Sequence, residues 1–159
     1  MKLAQSKKYG FTLIELLVVI GILAILLAIT LIAINPQRQF QQANDTQRSS
    51  NVNAILNAVG QFAADNNGRL PGDIPIGAAN AEEVGFVAAG NGADLCTDLV
   101  PTYMAGLPVD PTSTDPSPIT TCPAAGTAYA TGYTIFQDAN QRVTVTAVGQ
   151  ITPSISVTR

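Results

Sequence analysis

The chain has no histidine among its 159 residues, and no lysine follows Lys8. Histidine is the commonest general base and metal ligand near neutral pH, so its absence counts against an enzyme. No nucleophile-elbow or phosphate-loop motif occurs either. After Gly10 the cations are five arginines against eleven acids. Because phosphate contacts need cations, we expect no direct binding to nucleic acid.

Charged residues are also scarce, at 12% of the chain. Much of the deficit lies in residues 11–34, which read FTLIELLVVIGILAILLAITLIAI and carry one charge, Glu15. A helix of this length is about 36 Å long, enough to cross a hydrocarbon core of about 30 Å. A cleaved secretory signal has a shorter apolar core. Because Lys2, Lys7 and Lys8 precede the run, we expect a cytoplasmic N-terminus and an external remainder.

Glu15 needs a physical explanation, because a carboxylate in hydrocarbon costs about 3 kcal/mol unless it is paired or neutralised. No cationic side chain lies within one helical turn of it. One interpretation is a tolerated acid whose carboxylate extends outward to the membrane edge. The other is a partner made by cleavage after Gly10, since the new α-amino group on Phe11 would lie one helical turn away.

The residues around the start of the run resemble a known signal. Lys-Lys-Tyr-Gly10 followed by Phe11-Thr-Leu-Ile-Glu15 is similar to the leader and class III signal of type IV pilins and type II secretion pseudopilins. The resemblance implies that a prepilin peptidase cuts between Gly10 and Phe11 and methylates the new terminal phenylalanine. It also implies that Glu15 acts in recruiting and assembling subunits.

With this resemblance, the chain divides into four segments. Residues 1–10 are the leader, 11–35 the transmembrane and filament-core helix, 36–68 the amphipathic second half of that helix, and 69–159 the globular head. The expected fold is α+β, as in pilins. A long N-terminal helical spine packs its second half on a small antiparallel sheet.

The spine helix has predicted weak points and a predicted end. Ile32 stands where many family members have a proline, and here Pro36 follows four residues later. Proline removes a helical hydrogen bond, so we expect a flexible zone between Gly21 and Pro36. Gly68, in an Asn-Asn-Gly stop signal, suits the left-handed position after a helix.

An apolar stripe in the second half of the spine predicts the face that packs on the sheet. Its members, spaced by three and four residues, are Val52, Ile55, Val59 and Phe62. Coiled-coil pairing is the weaker alternative, because the repeat is not sustained over several heptads.

The head begins with a segment rich in Gly, Pro and Asp and ends in strands. Asn80 and Glu83 fit a capping box, which predicts a short helix through about Ala89. Alternating apolar residues predict an antiparallel sheet of three or four strands, with Pro153 placing the last strand at an edge. The strand residues are Tyr133 and Ile135, Val143 and Val145, and Ile155 and Val157.

Cys96 and Cys122 lie in the part that we expect outside the cytoplasm, where a disulfide is the leading expectation. Pilins of this class often close their C-terminal loop in this way, so the resemblance implies the same pairing. Two unpaired thiols are the alternative.

We expect no cofactor and no metal, and calcium is the alternative. Some major pseudopilins bind calcium in their C-terminal loops, which makes Asp110, Asp115 and Asp138 candidate ligands. However, acids in turns are ordinary turn formers, and no EF-hand spacing occurs.

The resemblance implies a structural subunit of a type IV pilus, or fimbrium, that polymerises with itself through its apolar helix. It would be a single-pass membrane protein first, handled by prepilin peptidase and by an inner-membrane assembly platform with its ATPase. It would then join a cell-surface pilus. One alternative is a pseudopilin in the periplasmic pseudopilus of a type II secretion system. Another is a membrane-anchored binding protein that never polymerises.

Overall fold

The computed structural model describes residues 10–72, 74–86, 92–124 and 127–159, so Gly10 alone represents the predicted leader. The chain divides into two compact units, one ending at Gln39 and the other comprising Phe40–Arg159. The fold is α+β, as predicted. The elements in chain order are α1 (Leu13–Ala33), α2 (Pro36–Asp65), a 3₁₀ turn (Ala78–Asn80), β1 (Glu82–Phe86), α3 (Cys96–Leu99), β2 (Tyr129–Gln137), β3 (Val143–Ala147) and β4 (Ile155–Thr158).

Helix α1 is the apolar run, and every one of its residues is exposed in the single chain. Gly21 does not interrupt it. Within the described part of the chain, α1 is the one helix whose length and composition would allow it to cross a membrane. An apolar helix without a buried face requires another apolar environment, either lipid or other chains.

The backbone leaves the helical conformation between α1 and α2. Ile34 is extended, with φ −95° and ψ 110°, and α2 begins at Pro36. Proline disfavours helical geometry in Asn35 before it, but it fits the first helical position, where its missing N–H would be unbonded anyway. The Asn35 Oδ1 accepts a hydrogen bond from the amide of Arg38 at 3.3 Å. The break therefore lies at the C-terminal end of the predicted flexible zone.

Helix α2 ends at Asp65, where the stop signal predicts it. Gly68 has φ 86°, and its amide donates a hydrogen bond of 2.8 Å to the carbonyl of Ala63. A positive φ at this position favours glycine because it has no Cβ.

Four antiparallel strands form one sheet in the order β1-β2-β3-β4, and α2 packs on it. Three of the four predicted stripe residues are fully buried. The fourth, Phe62, is partly buried and meets Tyr103 edge-to-face with ring centroids 5.5 Å apart. The buried core that joins the helix to the sheet includes Val52, Ile55, Val59, Val84, Tyr133, Ile135, Val143 and Val145.

The predicted helix from Asn80 to Ala89 is wrong over its described residues. Strand β1 occupies Glu82–Phe86 after a short 3₁₀ turn, while residues 87–89 lie outside the described ranges. The Glu83 carboxylate accepts a hydrogen bond of 2.9 Å from the amide of Gly132 in β2, and it does not cap a helix. Strand pairing and the burial of Val84 override the local capping signal.

Candidate processing and assembly site

The predicted cleavage point lies just before α1, where the backbone is not helical. Gly10, Phe11 and Thr12 precede the first helical residue, Leu13, and Phe11 is 80% exposed. Thr12 is extended, with φ −79° and ψ 151°. The Gly10–Phe11 peptide bond is therefore free of the helical hydrogen bonds that follow it.

Thr12 and Glu15 close the start of α1 with reciprocal hydrogen bonds. The backbone N–H and the hydroxyl of Thr12 donate to Oε2 of Glu15 at 2.8 and 2.7 Å. The amide of Glu15 donates in return to Oγ1 of Thr12 at 3.3 Å. This capping box satisfies N-terminal donors of the helix and places the carboxylate beside the positive end of the helix dipole.

This contact supplies Glu15 with hydrogen-bond partners from its own chain. The capping role of Glu15 was not predicted from the sequence. The signal was present, because a threonine three residues before a glutamate ahead of an apolar run is a capping-box pattern. The Thr12 amide that contacts the carboxylate belongs to the residue after Phe11. A new amine on Phe11 would therefore lie one residue before the Thr12 amide that donates to the carboxylate.

The structure joins Cys96 to Cys122 in a disulfide with a Cα–Cα distance of 5.6 Å. This is the pairing that the resemblance implies. Cys96 begins α3, and its amide donates to Oδ1 of Asp94 and to the hydroxyl of Tyr129. Burial, together with a 2.6 Å hydrogen bond to Asp94, raises the pKa of the Tyr129 hydroxyl.

The three candidate calcium ligands have separate contacts. Asp110 pairs with Arg48, and Asp138 pairs with Arg142 at 2.7 Å in the β2–β3 turn. Asp115 accepts a hydrogen bond from the amide of Ser117. Within the described ranges, no group of three His, Cys, Asp or Glu side chains is placed to hold a metal ion.

A buried ion-pair network in the head centres on Arg48 of α2, whose side chain is 3% exposed. Its Nε and Nη2 donate to the two carboxylate oxygens of Asp110 at 2.6 and 2.9 Å, and its Nη1 donates to Asp45 at 2.9 Å. Gly132 packs against Asp110, and a Cβ there would lie 2.9 Å from the Asp110 Cβ. The network joins α2 to the segment before β2.

Asp45 extends the same network to the loop between β3 and β4. Its carboxylate accepts hydrogen bonds from the amides of Gln150, Ile151 and Thr152 at 2.7, 2.8 and 3.0 Å. These bonds, those from Gln150 and Thr152 above all, hold the pKa of Asp45 well below its usual range. For Asp110, burial raises the pKa, but hydrogen bonds from Arg48 and Thr112 outweigh it and lower the pKa.

Sequence reasoning missed this network, although a signal for it existed. Asp45 and Arg48 continue the spacing of the Val52–Phe62 stripe toward the start of α2, so they lie on its packed face. A charged pair at core-facing positions indicates buried partners elsewhere in the fold. The identity of those partners was not readable, because Asp110 is 62 residues away.

Comparison with known protein families identifies a match at the N-terminal end of the chain. The family model described as the prokaryotic N-terminal methylation motif matches residues 5–31. The chain therefore carries the class III signal of type IV pilins and pseudopilins, as predicted. The match supports a pilin-like or pseudopilin precursor, a structural class of protein that is not enzymatic. No curated protein and no solved structure matches the chain.

Proposed function

We propose that this chain is the precursor of a structural subunit of a type IV pilus-like extracellular filament. The observation that carries the proposal is the coincidence of the methylation motif at residues 5–31 with a helix, α1, that has no buried face. Cleavage after Gly10 removes the basic leader, and methylation follows on Phe11. The apolar helix is then held first by lipid and later by the helices of neighbouring subunits.

Glu15 contributes to assembly through its charge. Lipid tails are as apolar as leucine, so the apolar residues of α1 gain little hydrophobic free energy by leaving the membrane. A carboxylate in hydrocarbon is disfavoured, and pairing it with the Phe11 amine of a neighbouring subunit relieves that cost. The capping box lowers the cost for a single chain but leaves the charge unneutralised.

Two features of the head support a pilus over a secretion pseudopilus. The head is closed by the Cys96–Cys122 disulfide. Two of the three candidate calcium ligands, Asp110 and Asp138, already bind arginines.

The precursor has its N-terminus in the cytoplasm and its head outside, and it meets prepilin peptidase and an ATP-driven assembly platform in the inner membrane.

Electron microscopy of material sheared from the cell surface, combined with mass spectrometry of its N-terminus, tests the proposal. We expect filaments whose subunits begin with N-methylated Phe11. Intact Met1 in a membrane fraction without filaments would refute both processing and assembly. Processed subunits confined to short periplasmic assemblies would favour the pseudopilin.

A further inference from the structure

The two edges of the head sheet carry different groups. Backbone pairing aligns Ile76, Gln137, Val143 and Arg159 in one row across the sheet. Ile76 lies at the β1 edge of this row, and Arg159 lies at the β4 edge. The head therefore has an apolar side chain at one end of the row and a cation at the other.

A groove of about 440 Å³ lies beside Arg159, between α2 and the start of β3. The side chain of Arg159 is exposed and donates a hydrogen bond to the Asn57 amide oxygen of α2. The groove is mostly apolar, and small residues on α2 leave it open. The lining residues that matter here are Leu56, Gly60, Ala64, Leu70 and Val143.

At the opposite edge of the sheet, Ile76 is an apolar side chain suited to the groove, and Glu82 is an acid suited to Arg159. Ile76 is 63% exposed. Glu82 opens β1 directly opposite Ile135, two residues along β2 from the Gln137 that faces Ile76. Opposed residues share a sheet face, so Glu82 projects on the core side, as Arg159 does opposite Val143. The ion pairs between described residues include neither Glu82 nor Arg159.

We propose that a second copy of this chain binds at these edges, with Ile76 of one head in the groove of the next and Glu82 paired with Arg159. The two edges are complementary in charge. A two-fold contact of either edge with itself would bring like groups together, whereas a head-to-tail contact between the two edges brings unlike groups together. Head-to-tail contacts that do not close generate helical filaments. The inference therefore rests on the proposed filament function.

The sheet geometry constrains this contact. Three inter-strand steps of about 4.8 Å separate Glu82 from Arg159 by about 14 Å in one head, too far for a pair within one chain. The two residues also lie in rows that are two residues apart, or about 7 Å along the strands. Neighbouring heads that pair these residues must therefore be staggered along the strand direction.

A cross-linking experiment on assembled filaments tests the contact directly. The chain contains no lysine after Lys8, so Arg159→Lys gives the processed subunit a single lysine at the proposed contact. A zero-length carbodiimide should then produce a ladder of covalent oligomers, with residue 159 joined to Glu82 of the next subunit. Wild-type filaments control for reaction at the terminal amine of Phe11, and Glu82→Gln in the Arg159→Lys chain should abolish the ladder.

Charge variants test whether the contact contributes to assembly. Arg159→Gln should lower the ratio of filamentous to membrane-held subunit by about two- to fivefold, the range for an exposed ion pair. Ser154→Glu is the matched control, because it changes the net charge equally at an exposed position beyond the other end of β4. The exchange of Glu82→Arg with Arg159→Glu should restore assembly relative to either reversal alone.

Failure of the proposed function and failure of the proposed contact give different results. If the wild-type chain forms no filaments, the proposed function fails. If wild-type filaments form but residue 159 cross-links elsewhere, or the double reversal restores nothing, the proposed contact is overturned while the filament function stands. A loss of assembly in Ser154→Glu equal to that in Arg159→Gln would also overturn it.

Discussion

At the residue scale, two carboxylates show how partners determine the role of an acid. Glu15 accepts two hydrogen bonds from Thr12 and carries a charge in an apolar helix. Asp110 was a calcium candidate on sequence grounds, but it forms a two-pronged ion pair with a buried guanidinium. The difference arises because the sequence gives the oxygen atoms that each side chain carries but not the groups that contact them in the fold.

Substitutions at Glu15 separate its charge from its capping role. Glu15→Gln keeps an oxygen that can accept the bonds from Thr12, whereas Glu15→Ala removes both the oxygen and the charge. We expect both variants to be cleaved after Gly10 and neither to assemble, because assembly depends on the charge. Mass spectrometry of the N-terminus and filament yield measure the two steps. Normal filaments from Glu15→Gln would show that capping suffices. If the wild type and both variants instead stay in the membrane with the same complex size, an anchored binding protein is favoured.

Removing Arg48 tests the buried network. Arg48→Ala leaves the carboxylates of Asp45 and Asp110 without their cation, and breaking such a pair costs about 3–5 kcal/mol. Urea denaturation of the chain in detergent should show a lower midpoint. Arg142→Ala is the control, because its pair with Asp138 is exposed, with Arg142 at 64%, and should cost under about 1 kcal/mol. Equal losses in the two variants would contradict the assignment of a buried network.

At the element scale, periodic sequence patterns predicted helices and strands that the structure contains, and one local capping pattern predicted a helix where the structure has a strand. The period of the stripe on α2, the proline at its start and the glycine after its end each reflect constraints within a few residues. Strand β1 was read as a helix, because the capping pattern of Asn80 and Glu83 is local. Its pairing with β2 involves residues about fifty positions away.

The disulfide contributes to stability by closing a loop with a sequence separation of 26 residues. In the chain-entropy model, opening such a loop costs roughly 3–4 kcal/mol. The double variant Cys96→Ser with Cys122→Ser should therefore unfold at a clearly lower urea concentration. Adding a reductant should shift the wild-type midpoint toward the variant and leave the variant unchanged. A variant that matched the oxidised wild type would contradict this account.

At the scale of the whole molecule, several aspartates with lowered pKa values make the stability of the folded head depend on pH. Asp45, Asp110 and Asp138 each have a pKa lowered by hydrogen bonds that donate to their carboxylates. An unfolded aspartate titrates near pH 3.9, so the unfolded chain binds protons before the folded head does. The stability due to these bonds is complete above that pH and is lost as the pH falls through the folded pKa values.

The expected outcome is a urea midpoint that is level from about pH 7 to pH 5 and falls steadily below about pH 4. Asp45→Asn should be less stable at pH 7 and should depend less on pH below 4, because the substituted residue does not titrate. Tryptophan is absent, so circular dichroism is the suitable probe. A wild-type midpoint that stayed constant down to pH 2 would refute the linkage.

The amino-acid sequence alone predicts the signal at the start of the chain, the apolar helix, the stripe on α2 and most of the strand pattern. These depend on local order and period, which the chain carries without its fold. The contacts of the folded head show that Asp110 binds Arg48, that Asp45 holds the β3–β4 loop, and that residues 82–86 form a strand. Each of these contacts joins distant segments, so its partner is defined only when packing brings them together.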